Sequence, residues 1–231
     1  MADELISLSG VSTIPIFPLP LVLMPYEILP LHIFEERYRE MLDDIAATNN
    51  VFGITYFDGD SQTDRPEERS IGCAAQVRQV DTLDDGRSNI ITVGVTRYRI
   101  VEYVDIGKPY NEAEVAFFVD DAEDETESEA AAERVFGLFQ RIAEAAFKMS
   151  GSRGKLPELV RGDPEQLSFL VAAGFNFEDE VKREMLSMTS TTDRLSKLDD
   201  ILSKTVGQVE QSADIHVVSK TNGHSKKKLD L

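Results

Sequence analysis

Few residues of this chain have side chains suited to bond-making chemistry, and their spacing narrows the choice further. The single cysteine, Cys73, lies in an apolar run and reads as a small buried hydrophobe rather than a nucleophile. The three histidines are His32, His216 and His224, and none belongs to an HExxH or a Cys/His cluster, so no zinc site is expected. His32 follows Pro30-Leu31 and reads as a hydrogen-bonded structural residue. Gly107-Lys108 and Gly154-Lys155 lack the following Ser or Thr and the upstream glycine of a phosphate-cradling loop. No GxSxG elbow and no GxGxxG fingerprint occur. The acidic run Asp120–Glu133 lacks the central glycine of a calcium loop and reads as a solvated linker entering a helix, where carboxylates complement the helix dipole. No catalytic site, cofactor or metal is expected.

The elements that would carry a non-catalytic function are legible from periodicity. Ile14–Leu23 and Ile28–Ile33 are short apolar runs broken by prolines, which suit extended edge backbone. Phe34–Ala47 has helical spacing, with Phe34, Tyr38, Met41, Leu42 and Ile45 on one face. Val51–Phe57 reads as a strand and Asp58–Arg69 as a loop. Ile71–Leu83 and Ser88–Val95 flank Asp84-Asp85-Gly86-Arg87, a hairpin turn, and Tyr98–Val104 and Ala113–Val119 complete the strands. Helices are expected at Ala130–Met149, at Glu165–Ala173 capped by Asp163, at Glu178–Met188, and after the cap Ser190-Thr191-Thr192-Asp193. Strands followed by helices make the fold class α+β. The expected domains are a β-barrel lobe at 12–119, an acidic linker at 120–129, a helical lobe at 130–211 and a disordered tail at 212–231. The tail holds Lys226, Lys227 and Lys228, which could also make a weak electrostatic contact.

Lys plus Arg number 24 and Asp plus Glu 42, a net charge of -18, which disfavours nucleic acid and anionic lipid as partners. The prolines between Ile14 and Phe34, with Glu27 and His32 among them, disfavour a membrane helix. One cysteine and an acidic start, Asp3 and Glu4, suit a cytoplasmic protein.

Four stretches in order resemble the substrate-binding domain of Lon proteases: Ile14-Pro15-Ile16-Phe17-Pro18-Leu19 continuing through Met24 to Tyr38; Ile71-Gly72 through the hairpin to Gly94-Val95-Thr96-Arg97-Tyr98-Arg99-Ile100; Pro109-Tyr110 with Ala113-Glu114-Val115; and Thr192-Asp193-Arg194-Leu195. The resemblance covers roughly residues 12 to 206 and is closest to stand-alone versions of the domain. It implies a PUA-like β-barrel lobe followed by an α-helical bundle lobe. It also implies recognition of unfolded or partner proteins, as an adaptor or chaperone-like module that could serve a separate protease or chaperone. The ATPase and Ser-Lys peptidase of full-length Lon lie outside the matched stretches, so proteolysis is not expected of this chain. RNA binding, known for other PUA-like barrels, is the alternative, and the charge argues against it. The turn Pro25, Tyr26, Glu27 is the candidate contact, because an aromatic residue held by proline loses little entropy on binding; the competing reading is that it closes the barrel. Arg97 and Arg99 are expected to pair with internal carboxylates. Sequence leaves the oligomeric state open.

Overall fold

The computed structural model describes residues 13–59, 65–105, 107–150 and 159–222. Six strands, β1 (Thr13–Leu19), β2 (Ile28–Ile33), β3 (Val51–Tyr56), β4 (Ile71–Thr82), β5 (Ser88–Val104) and β6 (Asn111–Phe118), form one sheet. Helix α1 (Glu36–Ala46) lies between β2 and β3; α2 (Glu125–Ser150), α3 (Pro164–Gly174), α4 (Asp179–Ser187) and α5 (Thr191–Asn222) follow the strands. The fold is α+β. The described residues divide into two compact units, one within Met1–Asp121 with Phe169–Thr189, the other within Ala122–Ser168 with Ser190–Leu231.

In the first unit β1 ends at Leu19, earlier than the apolar run, because Pro20 offers no donor; Val22, Leu23 and Met24 are buried as loop instead. The strands run β2-β5-β4-β3-β1-β6, and β6 returns to β5, pairing Arg97 with Phe118 and Ile100 with Val115. Five strands thus complete a hydrogen-bonded circuit, with β2 attached outside it along the first half of β5. One strand can serve both halves because it is bulged. Ala74 opposes Thr96 but Ala75 opposes Gly94, which leaves Val95 as the extra residue that bends β5. The two strands expected at Ser88–Val95 and Tyr98–Val104 are therefore one. Gly86, with φ of +81°, supplies the hairpin turn.

The period of two sorts side chains to the two faces of the circuit. Ile14, Ile16, Val51, Ala74, Val95, Tyr98, Ile100, Ala113 and Val115 come from all five circuit strands and form its filling. Phe17, Phe52, Ile54, Cys73 and Ala75 point the other way and pack under α1 through Tyr38, Met41, Leu42 and Ile45. Phe34 does not join that face as helical spacing suggested. Helix geometry begins only at Glu36, after the extended Glu35, and Phe34 stays 60% exposed.

Arg97, on β5, is 2% exposed. Its guanidinium donates to Asp120 Oδ1 at 2.5 Å, to the Leu186 carbonyl at 3.2 Å and to the Met188 carbonyl. The rings of Phe118 and Phe169 lie 4.6 and 5.1 Å from it. Beside it the Asp121 N–H donates to the Thr189 carbonyl at 2.8 Å, and the Thr189 hydroxyl to Asp121 Oδ2 at 2.7 Å. The expected internal pairing holds for Arg97. Arg99 lies instead 5.9 Å over the Phe118 ring, with no carboxylate partner among the described residues.

The second unit is built on α2 and α5. Asp124 caps α2, accepting the Thr126 N–H at 2.8 Å, so the run expected to be a linker at 120–129 is helical from Glu125. Asp163 caps α3 through the Gln166 N–H at 2.8 Å, and Ser190 caps α5 through the Asp193 N–H at 3.0 Å, both as expected. Arg194 is fully buried and donates to Ser168 Oγ at 2.8 Å and Thr191 Oγ1 at 3.3 Å. Arg134–Asp199 and the two-pronged Arg141–Glu210 pair tie the helices at their surface. Helix α5 continues to Asn222, because Val206 and Ala213 extend its buried face; the disordered tail expected from 212 is not seen up to that point, and Lys226, Lys227 and Lys228 lie outside the described residues.

The turn before β2 is held to the bulge. The Tyr26 N–H donates to the Gly94 carbonyl at 2.8 Å and the Gly94 N–H to the Glu27 carbonyl at 2.9 Å. The Glu27 carboxylate accepts the Met24 N–H at 2.9 Å. A Cβ on residue 94 would collide with the Met24 carbonyl, so only glycine permits this approach.

Two outcomes are expected. Replacing Arg97 with Leu strands Asp120 and two carbonyls in a buried site, and urea denaturation should show a loss of about 3 kcal/mol or more; a loss under about 1 kcal/mol would contradict the anchoring role. Burial raises the Glu27 carboxyl above its usual value of 4.5, against the lowering effects of the Met24 N–H and the Lys182 charge. A raised folded value means the proton is held more tightly in the folded state. The contribution to stability is therefore full below the unfolded value and lost as pH rises through the folded one. Measured against the non-titrating Glu27→Gln variant, wild-type stability should fall as pH rises from the usual carboxyl value of 4.5 through the raised folded value, and a relative rise would contradict the assignment.

Candidate functional site

The residues with chemical potential are placed in structural roles. Cys73 is wholly buried in β4, where desolvation pushes its thiol well above the ordinary range and removes the thiolate that nucleophilic attack needs. His32 stands on β2 with Nδ1 2.7 Å from Asn89 Oδ1 and its ring 6.2 Å from Phe34, a structural contact across paired strands. Lys108 is held by Glu40 at 3.0 Å and Asp44 at 2.9 Å rather than turned to a phosphate. Among the described residues no group of His, Cys, Asp or Glu could hold a metal ion. The His216 side chain, His224 and Gly154-Lys155 lie outside the described residues. A groove of about 430 Å³ lined by Tyr56, Arg65, Ser70 and Arg183 contains no histidine, and Arg183 is stacked 4.8 Å over Tyr56.

The expected contact turn is anchored more firmly than its sequence implies. Pro25 is buried, and Tyr26 and Glu27 are half-buried. Tyr26 adopts φ of +68°, a left-handed backbone that the Gly94 bond and the Glu27–Met24 bond stabilise. The turn fixes where β2 begins and in which direction it runs. The surface open to a partner starts one residue later.

Among the described residues strand β2 pairs with β5 alone, and they leave one of its edges and one of its faces uncovered. Alternation sends Leu29, Leu31 and Ile33 toward α1 and the core. It sends Ile28, Pro30 and His32 outward, opposite Val93, Ile91 and Asn89. Ile28, at the start of the strand, is 66% exposed, and Phe34, 60% exposed, lies beside His32 just past its other end. Ile91 and Val93 are only half-buried. The result is an apolar face carrying no charged side chain on β2 itself, on a protein with a net charge of -18. Large apolar side chains left in water in a contiguous group mark binding surfaces rather than packing. Ile28 and Phe34 were not singled out by motif. The signal was present as apolar residues on both faces of β2, Ile28 and Pro30 on one and Leu29, Leu31 and Ile33 on the other, with a proline that suits an edge strand.

Comparison with known proteins points the same way. The family model described as the ATP-dependent protease La (LON) substrate-binding domain matches residues 13–204. The chain is 27% identical to the Lon protease of Azorhizobium caulinodans over 209 residues, which cover 86% of this chain and 24% of that protein. It is 26% identical to the Lon protease of Trichlorobacter lovleyi over 83% of this chain and 24% of that one. The chain therefore spans about a quarter of the length of these curated relatives. Among solved structures, a Lon N-terminal domain protein from Xanthomonas campestris superposes with a TM-score of 0.59 at 20% identity, over 81% of this chain and 97% of that one. The N-terminal domain of Mycobacterium avium complex Lon protease gives 0.59 at 18% identity, over 83% and 98%. These likenesses share the fold, and the match from Thr13 to Lys204 takes in both units, so the chain belongs to the Lon substrate-binding domain family.

Proposed function

We propose that the chain is a non-catalytic protein-recognition module that takes apolar segments of unfolded or partner proteins on the outward face of β2. The observation that carries this reading is the exposure of Ile28, opposite half-buried Val93, and of Phe34, past the other end of the same strand face. Pro25, Tyr26 and Glu27 contribute by setting the rim of that face, with the half-exposed Tyr26 ring as the first side chain a partner meets. The partner binds by side-chain contact rather than by adding a strand, because Pro30 has no N–H to offer in the middle of the open edge. Membership of the substrate-binding domain family supports an adaptor or chaperone-like role, with a protease or chaperone acting on what is bound. A cytoplasmic setting fits Cys73 as a lone buried thiol. Among the described residues no helix is long and apolar enough to cross a membrane. An RNA-binding role would require a basic face with stacking aromatics, and the β2 face carries no cation of its own.

The test is capture of a chemically denatured, reduced and alkylated client by purified protein, followed by light scattering and by affinity measurement. Replacing Ile28 and Phe34 together with Ser should weaken capture by about tenfold or more, since each buries one to three kilocalories' worth of apolar surface on binding. The same variant should melt within a few degrees of the wild type, because both positions are exposed. Unchanged capture by a folded variant would sink the assignment of this face.

A further inference from the structure

A second open edge lies on the other side of β5. Strand β3 pairs with β4 only as far as Val51 opposite Gln76, and the last bond on that side runs from the Val77 N–H to the Asn50 carbonyl at 2.9 Å. Beyond it β4 continues to Thr82 with β5 as its only neighbour among the described residues. Arg78, Gln79, Val80, Asp81 and Thr82 are all exposed, Val80 at 52%. The ladder fixes which backbone groups are open. The Leu83 N–H donates to the Arg87 carbonyl at 2.8 Å, so bonds to β5 fall on alternate residues from there, Leu83, Asp81 and Gln79. Val80 and Thr82 therefore turn their N–H and C=O groups away from β5. The open edge of β2 is interrupted by Pro30; here no proline intervenes, and both outward residues are β-branched.

We propose that this edge takes up an extended, cation-bearing polypeptide segment as an added antiparallel strand, hydrogen-bonded to the Val80 and Thr82 backbone, with a lysine or arginine of that segment opposite Asp81. Charge selects the occupant. Asp81 lies between the two open residues and Asp84 follows in the turn. No cation among the described residues pairs with either, whereas neighbouring Asp85 is matched by Arg87. Arg78, the one cation on β4, sits apart at the bulge. Because Val80 and Thr82 carry the bonds, Asp81 occupies a non-hydrogen-bonded position, where opposed side chains approach closely and opposite charges attract. A second copy of the chain is the wrong occupant. Two-fold pairing through Val80 and Thr82 sets two Asp81 carboxylates against each other, between chains that each carry a net charge of -18. The edge is separate from the outward face of β2 and stands or falls without it.

Amide hydrogen exchange read by NMR on the full chain separates the outcomes. The probes are the blocked peptide Thr-Val-Thr-Lys-Thr-Val-Thr, its counterpart with glutamate at the centre, and the lysine peptide N-methylated at the two threonines that flank the lysine. Near saturation the lysine peptide should slow exchange at Val80 and Thr82 about fivefold or more and leave Asp81, already bonded to β5, nearly unchanged. Its dissociation constant should be roughly submillimolar. The glutamate peptide should bind at least about threefold more weakly, and the N-methylated peptide should protect neither amide. Val80→Pro removes an open donor without breaking a ladder bond, so it should fold and bind at least about fivefold more weakly, while Val80→Thr binds as the wild type does. The proposal is overturned if Val80 and Thr82 are already protected in the free chain, whether by another segment or by a second copy. Equal binding of the glutamate peptide, equal binding of the N-methylated peptide, or undiminished binding by folded Val80→Pro would also overturn it. Should that variant fail to fold, the N-methyl comparison on wild-type protein decides alone.

Discussion

A guanidinium removed from water must be surrounded by oxygens, and at Arg97 those oxygens come from places far apart in the chain. Asp120 lies just past β6, and the Leu186 and Met188 carbonyls lie at and beyond the end of α4. The two carbonyls cannot turn toward Arg97 unless the segment 169–189 packs with the strands, which is where the compact-unit division places it. The aromatic faces of Phe118 and Phe169 complete the enclosure, so the charge is held by acceptors on some sides and by ring quadrupoles on others. Such a pair is costly to bury and more costly to break, which makes it a device for fixing one arrangement rather than a source of net stability.

Arg97 lies on β5 just past the bulge at Val95. The bulged strand has β4 on one side along most of its length, and on the other β2 beside its first half and β6 beside its second. It also brings Gly94 to where the Met24–Glu27 turn can dock on backbone alone. The turn then delivers β2 to the outside of the circuit with Ile28 facing water. The outward face of β2 is thus the far end of a chain of constraints that begins with a missing Cβ and a misaligned register.

Local chemistry was readable and non-local chemistry was not. The Asp85-Gly86 turn and the caps at Asp163 and Ser190 each satisfy backbone groups within a few residues, so residue type suffices to place them. The β5 bulge depends on which residues oppose it on β4, and sequence periodicity carries no record of that. Phe34 sits at helical spacing from Tyr38, yet spacing cannot say that the helix starts two residues after it. Asp124 was read as part of a charged run when it is a cap, and the run looked like a linker because charge on an exposed helix start and charge in a loop have the same composition. Pro25, Tyr26 and Glu27 were singled out by local sequence alone, as a proline-held aromatic turn. Their burial comes from Gly94, some 70 residues away. The neighbouring Ile28 and Phe34 were passed over because an exposed apolar residue is recognisable only once its strand is known to be at an edge.

If the proposed function is right, contact with other polypeptides is concentrated on the outward face of β2. Site-specific photocrosslinking addresses it directly: a benzophenone side chain placed at position 34, at position 28 and, as a comparison, at Val160, which is 86% exposed on the other unit. With a denatured client present, covalent adducts are expected from positions 28 and 34 and few from 160. Equal adducts from all three, or adducts from 160 alone, would contradict it.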